Sequence, residues 1–92
     1  MTGTEVKKQI KKIIRECGGS ITKTSVTVGE YEGEFDINAN FWYSDKYHNP
    51  EFDCITMDTF EDEETAEKKA KRLATTLANN GLKATYNGIE NC

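Results

Sequence analysis

Histidine, cysteine and proline are scarce in this 92-residue chain, which contains one histidine (His48), three cysteines and one proline. The cysteines, Cys17, Cys54 and Cys92, lie far apart and form no C-x-x-C pair. A structural zinc site needs about four Cys or His ligands in close pairs, and the four in this chain form no such pairs, so the chain cannot build one by itself. We expect Cys17 and Cys54 to be small buried apolar residues in a reducing compartment, and Cys92 to be frayed.

Long hydrophobic runs are also absent. No stretch approaches the roughly 20 apolar residues of a membrane span, and the basic residues 1–12 lack the apolar segment of a secretory signal. The chain is polar, with 36% hydrophobic and 30% charged residues and a mean hydropathy of -0.73. Its apolar residues nevertheless recur in ordered runs. These observations predict one cytoplasmic domain over residues 1–92, with no membrane partner.

The groupings that support catalysis are missing too. No Ser/His/Asp or Cys/His set stands out, and His48 lies beside a proline turn. Gly18-Gly19 follows a helix-like segment instead of opening one, so it is not a phosphate-binding loop. A domain this small has little space for a water-excluding pocket of about 300 Å³ or more. We therefore expect no enzyme activity, no cofactor, no metal and no small-molecule substrate.

The N-terminal segment has the pattern of an amphipathic helix over about residues 4–17. Thr2 and Glu5 have the spacing of a capping box, and Gly18-Gly19 ends the segment. Between them the apolar residues recur at helical spacing and form one stripe. The stripe consists of Val6, Ile10, Ile13, Ile14 and Cys17.

Three strands are predicted in the middle of the chain. Residues 20–28 are rich in Thr, Val and Ile, and residues 34–43 alternate strictly between apolar and polar side chains. Residues 51–59 form a third, less regular segment, and the turns between the three are short and polar. In the second segment Phe35, Ile37, Ala39, Phe41 and Tyr43 face one way, and Glu34, Asp36, Asn38, Asn40 and Trp42 face the other.

A second helix and a fourth strand follow. Asp62-Glu63-Glu64 places carboxylates at the positive end of a helix dipole, and Asn80-Gly81-Leu82 has the pattern of a Schellman ending. Residues 82–86 then alternate as a strand does, and Asn87-Gly88 is predicted to be a turn. The apolar stripe of this helix is made of Ala66, Ala70, Leu73, Ala74, Leu77 and Ala78.

The predicted order is α-β-β-β-α-β. Each helix has one apolar stripe and the sheet has one apolar face, so both helices are expected on that face. The fold class is α+β: a two-layer sandwich with an antiparallel sheet. The opposite face of the sheet then presents its polar side chains to solvent.

Charge is distributed unevenly along the chain, which has a net charge of -4. Most of the 16 acidic residues lie in residues 24–65, where Lys46 is the only basic residue, and both flanking segments are net basic. Such a layout bears on partners and not on fold. The candidate binding residues are Lys7, Lys8, Lys11, Lys12 and Arg15 on the first helix; Glu32, Glu34, Asp36, Asn38, Asn40 and Trp42 on the sheet; and Lys68, Lys71 and Arg72 on the second helix.

Each charged group has two interpretations. The cations of the first helix are either a solvated surface or a ridge for phosphates or an acidic protein, and like charges at i, i+4 cost a few tenths of a kcal/mol per pair. On the second helix, Glu64–Lys68 and Glu67–Lys71 favour a salt-bridged solvated face. The acidic residues either prevent aggregation of the sheet edges or occupy a basic channel of another protein, as nucleic-acid phosphates would. Trp42 is expected to be an exposed interface anchor, or else to be covered by loops.

Two segments resemble double-stranded-RNA-binding domains. His48-Asn49-Pro50-Glu51-Phe52 is similar to their H-x-P-x-F stretch, and Lys68–Ala74 is similar to the lysine-rich start of their second helix. The resemblance implies an RNA-binding module whose lysines grip phosphates and read shape. The chain departs from the family in having Glu61 to Glu64 in place of glycines, and too few residues between the two motifs for two strands.

The chain as a whole resembles the small phage-encoded anti-CRISPR proteins, specifically inhibitors of type I-F systems. The resemblance covers Met1 to Cys92 and rests on size, acidic pI, segregated charge and the α+β order. This group shares no signature residues, so no site is carried over by motif. It implies a stoichiometric inhibitor in the bacterial cytoplasm that binds the multi-subunit Cas surveillance complex, contacts its guide RNA, and blocks recognition of target DNA.

Overall fold

The element order agrees with the sequence-based expectation. The structure, a computed structural model, describes residues 1–91; Cys92, expected to be frayed, lies outside the described residues. The elements are α1 (Gly3–Cys17), β1 (Ser20–Tyr31), β2 (Glu34–Ser44), β3 (Pro50–Phe60), α2 (Glu63–Asn79) and β4 (Ala84–Asn91). The α+β class and the order α-β-β-β-α-β are confirmed.

Helix α1 begins and ends as its sequence predicts. The Thr2 hydroxyl accepts a hydrogen bond from the Glu5 backbone N–H at 3.2 Å, and the Glu5 carboxylate accepts one from the Thr2 N–H at 3.3 Å. This is the expected capping box, which satisfies two N–H groups that a helix end leaves free. Gly18, at φ 69°, ends the helix in the left-handed region that glycine adopts without strain.

Helix α2 is also capped by its own sequence. The Asp62 carboxylate accepts a hydrogen bond from the Thr65 N–H at 2.9 Å. At the other end, the Leu82 N–H donates to the Leu77 carbonyl and the Gly81 N–H donates to the Ala78 carbonyl. These two bonds are the predicted Schellman motif, with Gly81 at φ 76°.

The four strands form one sheet in the order β3-β2-β1-β4. The expected antiparallel pairing is confirmed for β1 with β2 and for β2 with β3. β4, however, pairs parallel to β1, so the sheet is mixed. The cause is α2, which carries the chain from the end of β3 back across the sheet to the end where β1 begins. A strand that starts there beside β1 runs in the direction of β1.

The hairpin between β1 and β2 is tight, and one predicted turn lies inside a strand instead. β1 continues through Gly29 to Tyr31, and its hairpin to β2 turns at Glu32 and Gly33, both at positive φ. Positive φ at both central residues is what a tight two-residue hairpin requires. Asn87-Gly88, predicted to be a turn, lies within β4, where the register with β1 shifts and Gly88 has φ 93°. Such a glycine-containing irregularity is a bulge and not a strand end.

Both helices lie on the same face of the sheet, as expected. Val6 and Ile10 of α1 and Leu73 and Leu77 of α2 join the inward-facing residues of the strands in one buried cluster. Each fully buried aliphatic side chain of this kind contributes about 1.5–3 kcal/mol relative to an exposed one. The strands contribute Val26, Val28, Phe35, Ile37, Ala39 and Phe41. Neither described helix is long and apolar enough to cross a membrane.

Candidate functional site

The cations of α1 form a ridge on the side of the helix that faces away from the sheet. Val6 and Ile10 are fully buried on the inner side. Because a helix turns about 100° per residue, the basic residues between and after them project outward. We call this set the basic ridge; it comprises the half-buried Lys7 and the exposed Lys8, Lys11, Lys12 and Arg15.

The basic ridge has little internal neutralisation. Lys12 and Glu16 form an ion pair at 4.0 Å within the helix, with both side chains mostly exposed. Such pairs contribute at most about 1 kcal/mol. Among residues 1–91 the other ion pair is Lys71–Glu67 at 3.0 Å, within α2. No described ion pair therefore joins the basic ridge to the acidic residues of the sheet.

The acidic residues gather at one end of the molecule. β1 ends where β2 begins, and β3 and β4 end beside them, because Phe35 pairs with Phe60 and Glu30 pairs with Asn91. α2 starts at this same end, after the short link from β3. We call the resulting surface the acidic corner; it comprises Glu30, Glu32, Glu34, Asp36, Glu61, Asp62, Glu63, Glu64 and Glu90.

The basic residues Lys68, Lys71 and Arg72 share the outer face of α2, and the two flanking side chains lean toward opposite sides of the helix. Lys71 lies over the Tyr86 ring, 5.7 Å from its centroid, on the β4 side of the helix. Arg72 lines a cleft with Met57 and Phe60 on the β3 side. Lys68 is exposed, and the expected pair with Glu64 is not among the ion pairs formed by the described residues. Of the two predicted pairs, Glu67–Lys71 is confirmed.

The sheet face away from the helices carries cross-strand hydrogen bonds between polar side chains. Asn40 donates to the Ser25 carbonyl at 3.2 Å and to the Thr27 hydroxyl at 3.0 Å. Asn38 accepts from the Thr56 hydroxyl at 2.7 Å, and Asp36 from the Thr59 hydroxyl at 2.6 Å. These contacts hold Asp36, Asn38 and Asn40 half-buried in fixed positions. The face, here called the open face, is thus a preformed polar surface.

Trp42 lies on the open face but is less available than predicted. Its ring is covered by Lys23, whose Nζ is 4.4 Å from the centroid, and by Phe52, whose ring centroid is 5.0 Å away. Trp42 is therefore half-buried, and the prediction that its side chain is exposed is wrong. The exposed aromatic surface is that of Phe52, which is 54% exposed and was not predicted as a site residue. Its place opposite Trp42 follows from the β2–β3 register.

The two described cysteines differ. Cys17 is half-buried and its thiol donates to the Ile14 carbonyl at 3.1 Å. Cys54 was expected to be buried but is exposed, because it pairs with Asn40 on the open face. Desolvation of the sulfur raises the pKa of the Cys54 thiol, and the negative charge of Asp53 raises it further. A raised pKa leaves less thiolate, the reactive form.

Three depressions that are open to solvent mark the described surface. Their volumes are about 310, 350 and 440 Å³. The first lies between the start of α1, α2 and β3, the second lies beside Trp42 and His48, and the third lies between α2 and β4. None of them holds a group of three metal-ligating side chains from the described residues.

Comparison with known proteins identifies no relative of this chain. No family model, no curated protein and no solved structure matches this chain.

Proposed function

We propose that this protein is a non-enzymatic, stoichiometric inhibitor that binds a type I-F crRNA-guided surveillance complex and blocks recognition of target DNA. The observation that carries the proposal is the separation of charge. The basic ridge and the acidic corner are held on one rigid body, and no described ion pair joins them. Charges that do not neutralise each other within the fold are available to a partner.

The two surfaces lie on different parts of the molecule. The acidic corner occupies the end where the β1–β2 hairpin turns, whereas the basic ridge follows α1 toward the other end, where the Cys17 carbonyl accepts from the Lys46 N–H. The Debye length at physiological ionic strength is about 8 Å, so separated surface charges are largely screened from each other. In the proposed complex, Glu32, Glu34 and Asp36 occupy the lysine-lined path of the DNA, and the basic ridge contacts phosphates of the guide RNA.

The open face supplies the contacts between these two surfaces. Asn38 and Asn40 are already positioned by hydrogen bonds, so binding orders few side chains and loses little conformational entropy. Phe52, packed against Trp42 with the two rings tilted by 50°, adds an exposed aromatic surface of the kind that contributes strongly at interfaces.

The alternative function is that of an RNA-binding module acting through its basic helix faces. The basic ridge favours it, since four of its cations are exposed along one helix. Helix α2 does not: Lys68 is its sixth residue, and its first turn carries Glu63 and Glu64. Carboxylates at that position repel phosphate from the helix N-terminus. We therefore prefer the inhibitor.

Charge reversal distinguishes the two functions. One variant combines Lys7→Glu, Lys11→Glu and Arg15→Glu, and a second combines Glu32→Lys, Glu34→Lys and Asp36→Lys. We expect at least one of them to abolish binding to the purified type I-F complex while lowering the melting temperature by no more than a few degrees, because four of the six residues are exposed and Lys7 and Asp36 are half-buried.

The control is Lys46→Glu, which changes charge outside both surfaces and is expected to bind normally. Free duplex RNA is tested in parallel by gel shift at about 150 mM salt. Retention of binding by both triple variants contradicts the inhibitor. A strong, steeply salt-dependent shift of free RNA, with no binding to the complex, supports the alternative instead.

A further inference from the structure

The two edges of the sheet are protected to different degrees. Edge strand β3 begins with Pro50 and shifts register between its pairings to Ile37 and Asn38. It also carries Glu51, Asp53 and Asp58. Proline, bulges and charges are the features by which natural sheets prevent further strands from pairing. The β3 edge is therefore the better protected of the two.

Edge strand β4 lacks most of these features. Glu90 is its only charged residue, and it contains no proline. Its inner edge pairs with β1, whereas its outer edge has no strand partner within the described chain. Within residues 84–86, the backbone N–H and C=O groups on the outer edge can therefore pair with another extended segment.

A groove runs alongside this edge, between β4 and α2. Its volume is about 440 Å³. The groove is shallow and open to solvent. Three of its lining residues are small: Ala74 and Ala78 on the helix and Ala84 on the strand; the others are Lys71, Thr75, Thr85 and Tyr86. Short side chains at these positions leave room for a side chain from outside.

A polar group without a partner lies in the wall of the groove. The Tyr86 hydroxyl is buried and forms no hydrogen bond with any described residue. Lys71, whose Nζ lies 5.7 Å from the ring centroid, covers it from α2. An unsatisfied buried hydroxyl costs about 1–3 kcal/mol, and native structures leave few of them.

We propose that β4 is the site at which a short extended segment of a partner protein adds to the sheet as a fifth strand. The segment pairs with the backbone of Ala84 to Tyr86 and places an aliphatic side chain between Ala74, Ala78 and Ala84. Extended peptides bind sheet edges in this way, with main-chain hydrogen bonds for affinity and a side-chain pocket for specificity. The inference rests on the proposed function, since the segment belongs to the bound complex.

A second copy of this chain fits the edge less well. The bulge at Asn87-Gly88 limits the regular part of the strand to Ala84–Tyr86, roughly 10 Å at 3.3 Å per residue. A symmetric pair of such stretches joins only three residues of each copy, against the roughly 20–30 residues a side of a standard interface. A peptide segment needs only the short regular stretch and the groove beside it.

Amide hydrogen exchange tests the proposal directly. The free protein and the protein bound to the purified type I-F complex are compared by mass spectrometry. We expect exchange at residues 84–86 to slow by about tenfold or more on binding, because new main-chain hydrogen bonds protect amides. Val26 and Val28, already buried in the centre of the sheet, are the internal reference and are expected not to change.

A pair of variants tests the groove. Ala78→Glu places a carboxylate in the groove, and Asn79→Glu places the same charge at the next, exposed helix position. We expect the first to weaken binding about tenfold or more, equivalent to about 1.4 kcal/mol, and the second to change it less than twofold. Normal circular dichroism for both shows that the helix is intact.

Three outcomes of these experiments contradict strand addition by a partner segment. If the complex forms but exchange at residues 84–86 is unchanged, and Ala78→Glu binds as well as Asn79→Glu, strand addition is wrong and the inhibitor stands. If no complex forms, both proposals fail. If the free protein shows slowed exchange at residues 84–86 only at high concentration, with a matching rise in mass, the edge pairs with a second copy and the partner segment is ruled out.

Discussion

Gly19 lies against the backbone of Ser44. A Cβ atom at position 19 would overlap the Ser44 carbonyl oxygen. The Lys46 N–H donates to the Cys17 carbonyl at 3.1 Å next to this contact. The end of α1 and the end of β2 are thereby held together, and this closeness sets where the basic ridge stands relative to the sheet.

Gly19→Ala is expected to destabilise the protein strongly. The methyl group meets main-chain atoms, which cannot swing away as a flexible side chain does, so the helix end must shift. We expect a loss of about 1–3 kcal/mol in the free energy of unfolding, the range for overpacked sites. Urea denaturation measures it. Gly3→Ala is the control: its Cβ meets Leu73 at an ordinary 3.5 Å, so equal losses in both variants would contradict the argument.

Thr24→Val tests the attachment of β4 to β1. The buried Thr24 hydroxyl donates to the Leu82 carbonyl at 2.7 Å. Valine keeps the shape but leaves that carbonyl without its partner, at a cost of about 1–3 kcal/mol. Thermal unfolding measures the loss. Thr22→Val, at an exposed position of the same strand, is expected to stay within about 0.5 kcal/mol of the wild type. A neutral Thr24→Val would show that the hydrogen bond is dispensable.

A double-mutant cycle tests the contact between Trp42 and Phe52. Their ring centroids lie 5.0 Å apart, and aromatic pairs in this range couple by about 0.5–1.5 kcal/mol beyond the area they bury. We expect Trp42→Ala and Phe52→Ala together to cost less than the sum of the single changes by this amount. Tyr47, which is 71% exposed, provides the comparison: Tyr47→Ala combined with Trp42→Ala is expected to be additive. Additivity of the first pair would show no coupling.

The N-terminal cap of α2, formed by Asp62, is expected to lose its stabilising effect at low pH. Two hydrogen bonds from Thr65 lower the pKa of Asp62. The bond from the Thr65 hydroxyl has the larger effect and the bond from its backbone N–H the smaller. A carboxyl group whose pKa is lower in the folded state stabilises the protein above its unfolded pKa, near 4. That contribution is lost as the pH falls through the folded pKa. Melting temperatures measured from pH 6 to pH 2 should therefore fall less steeply for Asp62→Asn than for the wild type.

Thr65→Val provides the matched variant for the acid test. It removes the hydroxyl that donates to Asp62 at 2.5 Å and keeps the backbone donor. Its acid profile is expected to lie between those of the wild type and Asp62→Asn. Parallel profiles for all three proteins would show that the cap does not contribute to the pH dependence.

Local signals in the sequence were sufficient for the helices and the central strands. Thr2 with Glu5 and Gly81 with Leu82 specify helix ends through bonds within a few residues, and the alternation from Glu34 to Tyr43 assigns one face of β2 to the core. These features depend on neighbours along the chain. They were therefore predictable without knowledge of the tertiary structure.

The features that were missed depend on contacts between distant segments. The parallel direction of β4 results from the return of α2 across the sheet, and the bulge at Asn87-Gly88 becomes visible only against the register of β1. Cys54 was expected to be buried from its residue type, but the β2–β3 register places it on the uncovered side. The convergence of Glu34 and Glu90 at one corner likewise follows from the strand order.

The place of β4 also bears on how the chain reaches its native state. β1 can pair with β2 as soon as their hairpin closes, but its other neighbour begins at Ala84, which pairs with Thr24. Contacts so distant in sequence require a large loop to close first, and mixed α/β domains with such contacts fold more slowly than helical bundles. Until α2 has crossed, the second edge of β1 is open in the nascent chain, so this central strand is the segment most exposed to mispairing during synthesis.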